Sequence, residues 1–179
     1  MRRVFFGLAI PANIQQHLLQ VRAEVAGASW QRAEQLHLTS LFLGDLNDEL
    51  LQAMRAAARQ VHLAPFTLQV SALGCFGTPH TPKHLWAGVQ PNEAVTHLHE
   101  TLKTQAQQVG LPTEHRTYCP HITLARFNRK PGSVAPLLAE YSATEFGGFT
   151  VNEFLLYESQ PSPEGSMYTV LERYSLVAP

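Results

Sequence analysis

The sequence predicts an α+β fold with antiparallel sheet, and three observations lead there. Extended apolar segments outnumber helical ones. Several lie next to one another with only a turn between them, as hairpins do. No glycine-rich phosphate loop follows a strand, which argues against a doubly wound parallel fold with a nucleotide site.

Arg3 to Ile10 reads as the first strand. The basic start Met1-Arg2-Arg3 and the apolar run after it imitate a secretory leader. The run is short, however, Pro11 stops it, and no small-x-small cleavage site follows directly, so a buried strand is the better reading. Pro11-Ala12-Asn13 opens a helix expected to reach about Ala26, with Ile14, Leu18, Val21 and Val25 at helical spacing. Trp30 and then Leu36 to Leu43 form the next extended segment, ended by Gly44-Asp45. Asp48 to His62 is a second helix, with Leu51, Met54, Ala58 and Val61 on one face and Pro65 beyond it. Phe66 to Phe76 and His84 to Val89 are strands joined by the turn-rich Gly77 to Pro82. Pro91 to Val109 is a third helix, ended by Gly110. Cys119 to Phe127 is a strand. Phe149 to Ser159 and Met167 to Val177 make a last pair around Pro161-Ser162-Pro163-Glu164-Gly165.

Composition narrows the class. A chain of 179 residues suffices for one domain, or for two small lobes sharing a core. Hydrophobic content of 45% with 15% charged residues suits a folded protein rather than a disordered one. A net charge of -1 is far from that of a protein that coats duplexes by counterion release, so a nucleic-acid substrate is expected to be touched at a few nucleotides or one end. Cys75 and Cys119 are too few for a disulfide framework or a cysteine-built zinc site, and read as thiols of a reducing cytoplasm. No stretch is long and apolar enough to span a membrane.

The chemistry points to histidine. His-x-Thr on a strand places both side chains on one face, a proton-transfer group beside a hydroxyl donor. The pattern occurs four times, at His37, His99, His115 and His121. His99 lies in a helical stretch, where residues two apart do not face each other, and His115 lies in a polar loop. The other two copies resemble each other. Leu36-His37-Leu38-Thr39 and Pro120-His121-Ile122-Thr123 each begin an imperfectly alternating apolar run. They lie about half a chain apart, which suggests two similar lobes, each contributing one strand to a shared cleft.

These motifs resemble the two-histidine phosphoesterase superfamily, and within it the bacterial RNA 2′,3′-cyclic phosphodiesterases, or 2′-5′ RNA ligases. The likeness spans nearly the whole chain. It includes Val4 to Pro11, Leu36-His37-Leu38-Thr39 leading into Phe42-Leu43-Gly44, Lys83 to Val89, Pro120 to Arg126, and Phe154 to Ser159 with Tyr168 after it. Ser40 departs from the usual apolar residue, on the strand face opposite Thr39. The resemblance implies two pseudo-symmetric α/β lobes with antiparallel sheets around a central cleft, forming a single domain over residues 1–179. It implies no metal and no cofactor. It also implies catalysis by His37 and His121, with His37 expected as acid and His121 as base. Thr39, Thr123 and Arg126 would bind the substrate phosphate, and Phe42 and Tyr168 would be further substrate contacts. The expected substrate is an RNA end or short oligonucleotide with a 2′,3′-cyclic phosphate, opened to a 2′-phosphate by a monomer, with ATP-independent 2′-5′ ligation as the related transfer. Rival readings are a phosphodiesterase for small cyclic nucleotides or an ADP-ribose cyclic phosphate, and a non-catalytic module that binds nucleotides or RNA ends. A metal hydrolase lacks support, for there is neither H-E-x-x-H nor a carboxylate cluster.

Overall fold

The first strand owes its place to its unbroken apolar run. In the computed structural model, which describes residues 1–178, β1 (Arg2–Ala9) is buried from Val4 through Leu8, on both faces at once. Such a strand needs a neighbour on each side and layers above and below. It lies between β3 (His37–Leu46) and β8 (Glu153–Ser162), and β9 (Gly165–Ser175) pairs outside β8. The other half of the sheet comprises β6 (His121–Phe127), β5 (Pro82–Gln90), β4 (Phe66–Gly77) and β7 (Glu145–Val151), in that order outward from β3. The short β2 (Ala28–Trp30) also pairs with β6. Every pairing in this nine-stranded sheet is antiparallel.

The two halves meet where β3 touches β6, at the single residue pair Leu38↔Ile122. Both side chains are fully buried. Because strand side chains alternate, burying the x residue of each His-x-Thr turns both His and both Thr to the opposite face. Asn152 alone joins β7 to β8, although five strands separate them in the sheet order. The sheet therefore curls so that its distant strands approach at one end.

Helices cover the core face. Asn47 caps α2 (Asp48–Ala58), its Oδ1 accepting the Leu50 N–H at 2.8 Å, and Leu51, Met54 and Ala58 point inward. The longest helix, α3 (Asn92–Gln108), buries Val95, Leu98, Leu102 and Ala106 at helical spacing. The shorter α1 (Ala12–Leu19) and α4 (Ala135–Glu140) complete the set.

Several boundaries differ from expectation. α1 stops at Leu19 rather than Ala26, and Gly27, at φ +76°, turns the chain so that β2 can reach β6. Val21 still enters the core, which is why its spacing read as helix. α2 likewise ends at Ala58, with Val61 buried beyond it. β3 runs through Gly44-Asp45 to Leu46, because a register shift at Leu43 admits Gly44 at φ +85° opposite Val4. The single strand expected from Phe149 to Ser159 is the end of β7 and most of β8, on different parts of the sheet. α4 and most of β7 had no expectation; Gly147-Gly148 deprives β7 of alternating side chains.

Removing bulk at the seam tests its weight. Ile122→Ala is expected to cost about 2–5 kcal/mol of stability, as large-to-small core changes do, measured by urea unfolding. A loss below about 0.5 kcal/mol would show that the seam packs elsewhere.

Candidate active site

His37 and His121 are held by the same device. His37 Nδ1 lies 2.8 Å from the carbonyl oxygen of Gln35, and His121 Nδ1 lies 2.7 Å from that of Cys119. In both, the partner is the backbone two residues earlier. A carbonyl only accepts, so Nδ1 carries the proton in each ring and Nε2 is left to face the cleft. The Nε2 of His37 sits 3.1 Å from Thr39 Oγ1, which donates to it when the ring is neutral.

Each ring also stands in an aromatic cup. Phe5 and Tyr168 lie 4.9 and 4.8 Å from the His37 ring centroid, with Tyr157 behind them. Phe76 meets His121 edge-on at 4.8 Å, and Trp86 lies at 6.0 Å. Trp86 can lie flat across β4 because residue 74 is glycine, where any Cβ would run into the indole ring.

A bulge follows each motif at the same place. Along β3, Thr39 pairs with Gly7 and Leu41 with Phe6, so Ser40 has no partner on β1. Along β6, Thr123 pairs with Trp86 and Ala125 with Leu85, so Leu124 has none on β5. The unpaired residue stands three after the histidine in both. An inserted residue reverses the alternation beyond it. Residues five after the histidines, which strict alternation would turn away from the cleft, are thereby returned to it: Phe42 in β3 and Arg126 in β6. Both are exposed.

The β3 bulge has its own braces. Tyr118 Oη donates to the Thr39 carbonyl at 2.7 Å, and His99 Nδ1 donates to the Ser40 carbonyl at 2.6 Å. The two rings stack in parallel at 4.0 Å. His99 is on α3, as its sequence context indicated, yet it is packed against the motif strand. No pattern in the sequence pointed to it, because the contact is 59 residues away along the chain. Ser40 is fully buried.

Burial sets the electrostatics. Desolvation pushes His37 down from 6.5 to about 4, against the pull of the Gln35 carbonyl and with the help of Arg126 and His121 nearby. His121 is lowered by the same desolvation, opposed by the Cys119 carbonyl and aided by Arg126. Both rings are thus biased towards the neutral form in the free protein. Partial burial raises the Cys119 thiol above its ordinary value. A cavity of about 330 Å³ opens beside His121, lined among others by Thr39, Phe42, Phe76, Arg116 and Tyr118. Among the described residues, no three His, Cys, Asp or Glu side chains are grouped so that they could hold a metal ion, and no helix is long and apolar enough to cross a membrane.

The structure thus brings together His37, Thr39, His121, Thr123 and Arg126 on the cleft face, with Phe42 at the cavity rim and Tyr168 against His37. His84, expected as the first residue of its strand, lies within β5 directly opposite Arg126. His80 remains apart, against Ser133.

Two bulged His-x-Thr strands meeting at the seam of a curled antiparallel sheet are the arrangement of a two-histidine phosphoesterase. The chain belongs to the 2′-5′ RNA ligase superfamily, whose sequence profile matches residues 10–162. It is 30% identical over 179 residues to the RNA 2′,3′-cyclic phosphodiesterase of Escherichia coli K12, covering 98% of this chain and 97% of that one. The Thermus thermophilus protein of the same name is 31% identical over 186 residues, covering 97% and 90%. Among solved structures, E. coli LigT complexed with 3′-AMP superposes with a TM-score of 0.82 at 28% identity, covering 99% of each chain.

The low value for His37 has a measurable sign. Its folded pKa lies below the unfolded 6.5, so as pH falls the unfolded chain takes up this proton first. Stability linked to this ring is therefore intact above 6.5 and declines as pH drops towards about 4. Imidazole NMR of the free protein should place the His37 midpoint near 4; a midpoint at 6.5 would contradict the burial argument.

Proposed function

We propose that this protein opens terminal 2′,3′-cyclic phosphates of RNA to 2′-phosphates by acid–base catalysis between His37 and His121, without a metal or a nucleotide cofactor. One observation carries the reading: two imidazoles, each with Nδ1 fixed by the carbonyl two residues earlier, present their Nε2 atoms to one cleft beside Arg126. The relatives named RNA 2′,3′-cyclic phosphodiesterase, and the 3′-AMP complex of LigT, support the substrate class.

The chemistry follows from these parts. A neutral Nε2 takes a proton from water as the oxygen attacks phosphorus. The bond from phosphorus to the ribose 3′ oxygen breaks, and the other histidine, protonated, gives that oxygen its proton. Thr39, Thr123 and Arg126 hold the non-bridging oxygens as charge builds on them. The cavity beside His121 lies within the range of small-ligand sites and suits a nucleotide at an RNA end better than a long duplex. With a 5′-hydroxyl in place of water, the same displacement forms a 2′-5′ linkage without ATP.

We take residues 1–179 as one two-lobed domain acting as a monomer, because both histidines, both threonines and Arg126 come from a single chain. Free Cys75 and Cys119 suit a reducing cytoplasm.

In the expected assignment His37 is the acid and His121 the base. The burial of His37 favours a second reading with the roles exchanged, since desolvation keeps that ring in the neutral state from which a base must start. A substrate with sulfur as the 3′ bridging atom separates them, because a thiolate leaves without an acid. It should rescue His37→Ala if His37 is the acid, and His121→Ala if the roles are exchanged.

On the natural substrate, His37→Ala and His121→Ala should each lower kcat by about 10²–10⁴-fold with the fold intact, while EDTA leaves the wild-type rate unchanged. Arg126→Ala should raise KM by about 10-fold. Near-wild-type turnover by either histidine variant would overturn the two-histidine mechanism.

A further inference from the structure

His84 has no part in the acid–base pair, yet it stands in the same row of side chains. Its backbone lies opposite that of Arg126 across β5 and β6, and its Nε2 is 3.1 Å from Arg126 Nη1. A guanidinium has donors and no acceptor. The Arg126 N–H must therefore donate, and His84 must receive it on an unprotonated Nε2. Phe76 packs edge-on against the His84 ring at 6.0 Å while also meeting His121, which limits where the His84 ring can turn. The guanidinium consequently has one N–H committed to His84, and the rest of its fork is available to an anion.

We propose that His84 is a positioning residue, which accepts one N–H of Arg126 and so aims its guanidinium at the substrate phosphate between His37 and His121. This rests on the reading that Arg126 binds that phosphate. An exposed arginine without a partner spreads over many rotamers, and ordering it on binding costs entropy. A neutral acceptor across the ladder orders the side chain beforehand without neutralising its charge. A carboxylate in the same place would hold Arg126 more tightly but compete with the phosphate for it. Imidazole and amide acceptors share the property the role needs; an aliphatic side chain does not.

The test is a set of steady-state measurements on an oligonucleotide 2′,3′-cyclic phosphate with wild type, His84→Ala, His84→Gln, Arg126→Ala and the double alanine variant, with thermal melting as a control for folding. His84→Ala should raise KM by about 3- to 10-fold with kcat changed by less than about 2-fold. His84→Gln, whose amide oxygen accepts the same N–H, should return KM to within about 2-fold of wild type. In the Arg126→Ala background, His84→Ala should have no further effect. If Arg126→Ala itself leaves KM unchanged, the phosphate-binding reading of Arg126 fails and the proposal fails with it. If Arg126→Ala raises KM but His84→Ala does not, or the two effects simply multiply, only the positioning role is overturned; multiplying effects would mean that His84 touches the RNA directly.

Discussion

The site depends on the backbone bulge that follows each histidine. Alternation along a strand fixes which residues can share a face, and it would separate Arg126 from His121 and Phe42 from His37. One unpaired residue in each strand, Leu124 and Ser40, reverses that separation. The bulge exists at a cost, since an inserted residue leaves backbone groups without ladder partners. In β3 those groups are met from outside the sheet by Tyr118 and His99. The strand, the loop before β6 and helix α3 are thereby tied to one another at the motif itself.

Around that backbone the two half-sites are built alike. Each imidazole is anchored through Nδ1 by its own strand, packed against aromatic rings and largely withdrawn from water. Anchoring and burial act in opposite directions on the proton. The carbonyl favours the charged ring, desolvation disfavours it, and desolvation is the larger cause for both histidines. A neutral pair is the consequence in the free protein. In the proposed mechanism an anionic phosphate between the rings would reverse part of that balance, because it would attract a proton to whichever ring serves as acid. Protonation would then be coupled to the arrival of the substrate's own charge.

Much of this was legible in the sequence because it rests on period two. The first strand follows from its unbroken apolar run, the antiparallel class from extended segments joined by turns, and the two histidines singled out from the partly alternating runs they begin. The false copies at His99 and His115 separated by the same test. What alternation could not reveal was its own interruption. Nothing in Thr39-Ser40-Leu41 or Thr123-Leu124-Ala125 announces a bulge, so Arg126 came forward only through family resemblance, and nothing tied His84, at the start of its strand, to Arg126. Contacts far apart along the chain were also silent: His99 on the Ser40 carbonyl, and Gln35, whose side chain donates to the Ser166 carbonyl while its own carbonyl receives His37. Val21 and Val61 misled in the other direction, for both keep helical spacing and reach the core from outside a helix.

The pseudo-symmetry stops at the fifth residue after each histidine, and that difference gives the cleft a direction. In the β6 half this position is Arg126, opposite His84; in the β3 half it is Phe42, opposite Phe5. One half offers a cation steadied by a neutral acceptor. The other offers an aromatic face, with the Arg3 guanidinium 5.0 Å from the Phe42 ring centroid. A phosphate is drawn to the first and a flat apolar group is tolerated by the second. A symmetric pair of histidines could act on a phosphate from either side with equal ease. Unequal flanks remove that degeneracy, because they favour one orientation of a ligand that is anionic at one end and planar at the other. In the proposed mechanism the two histidines then stop being interchangeable: each would face a different oxygen of the same phosphate, which is the condition for one to act as acid and the other as base.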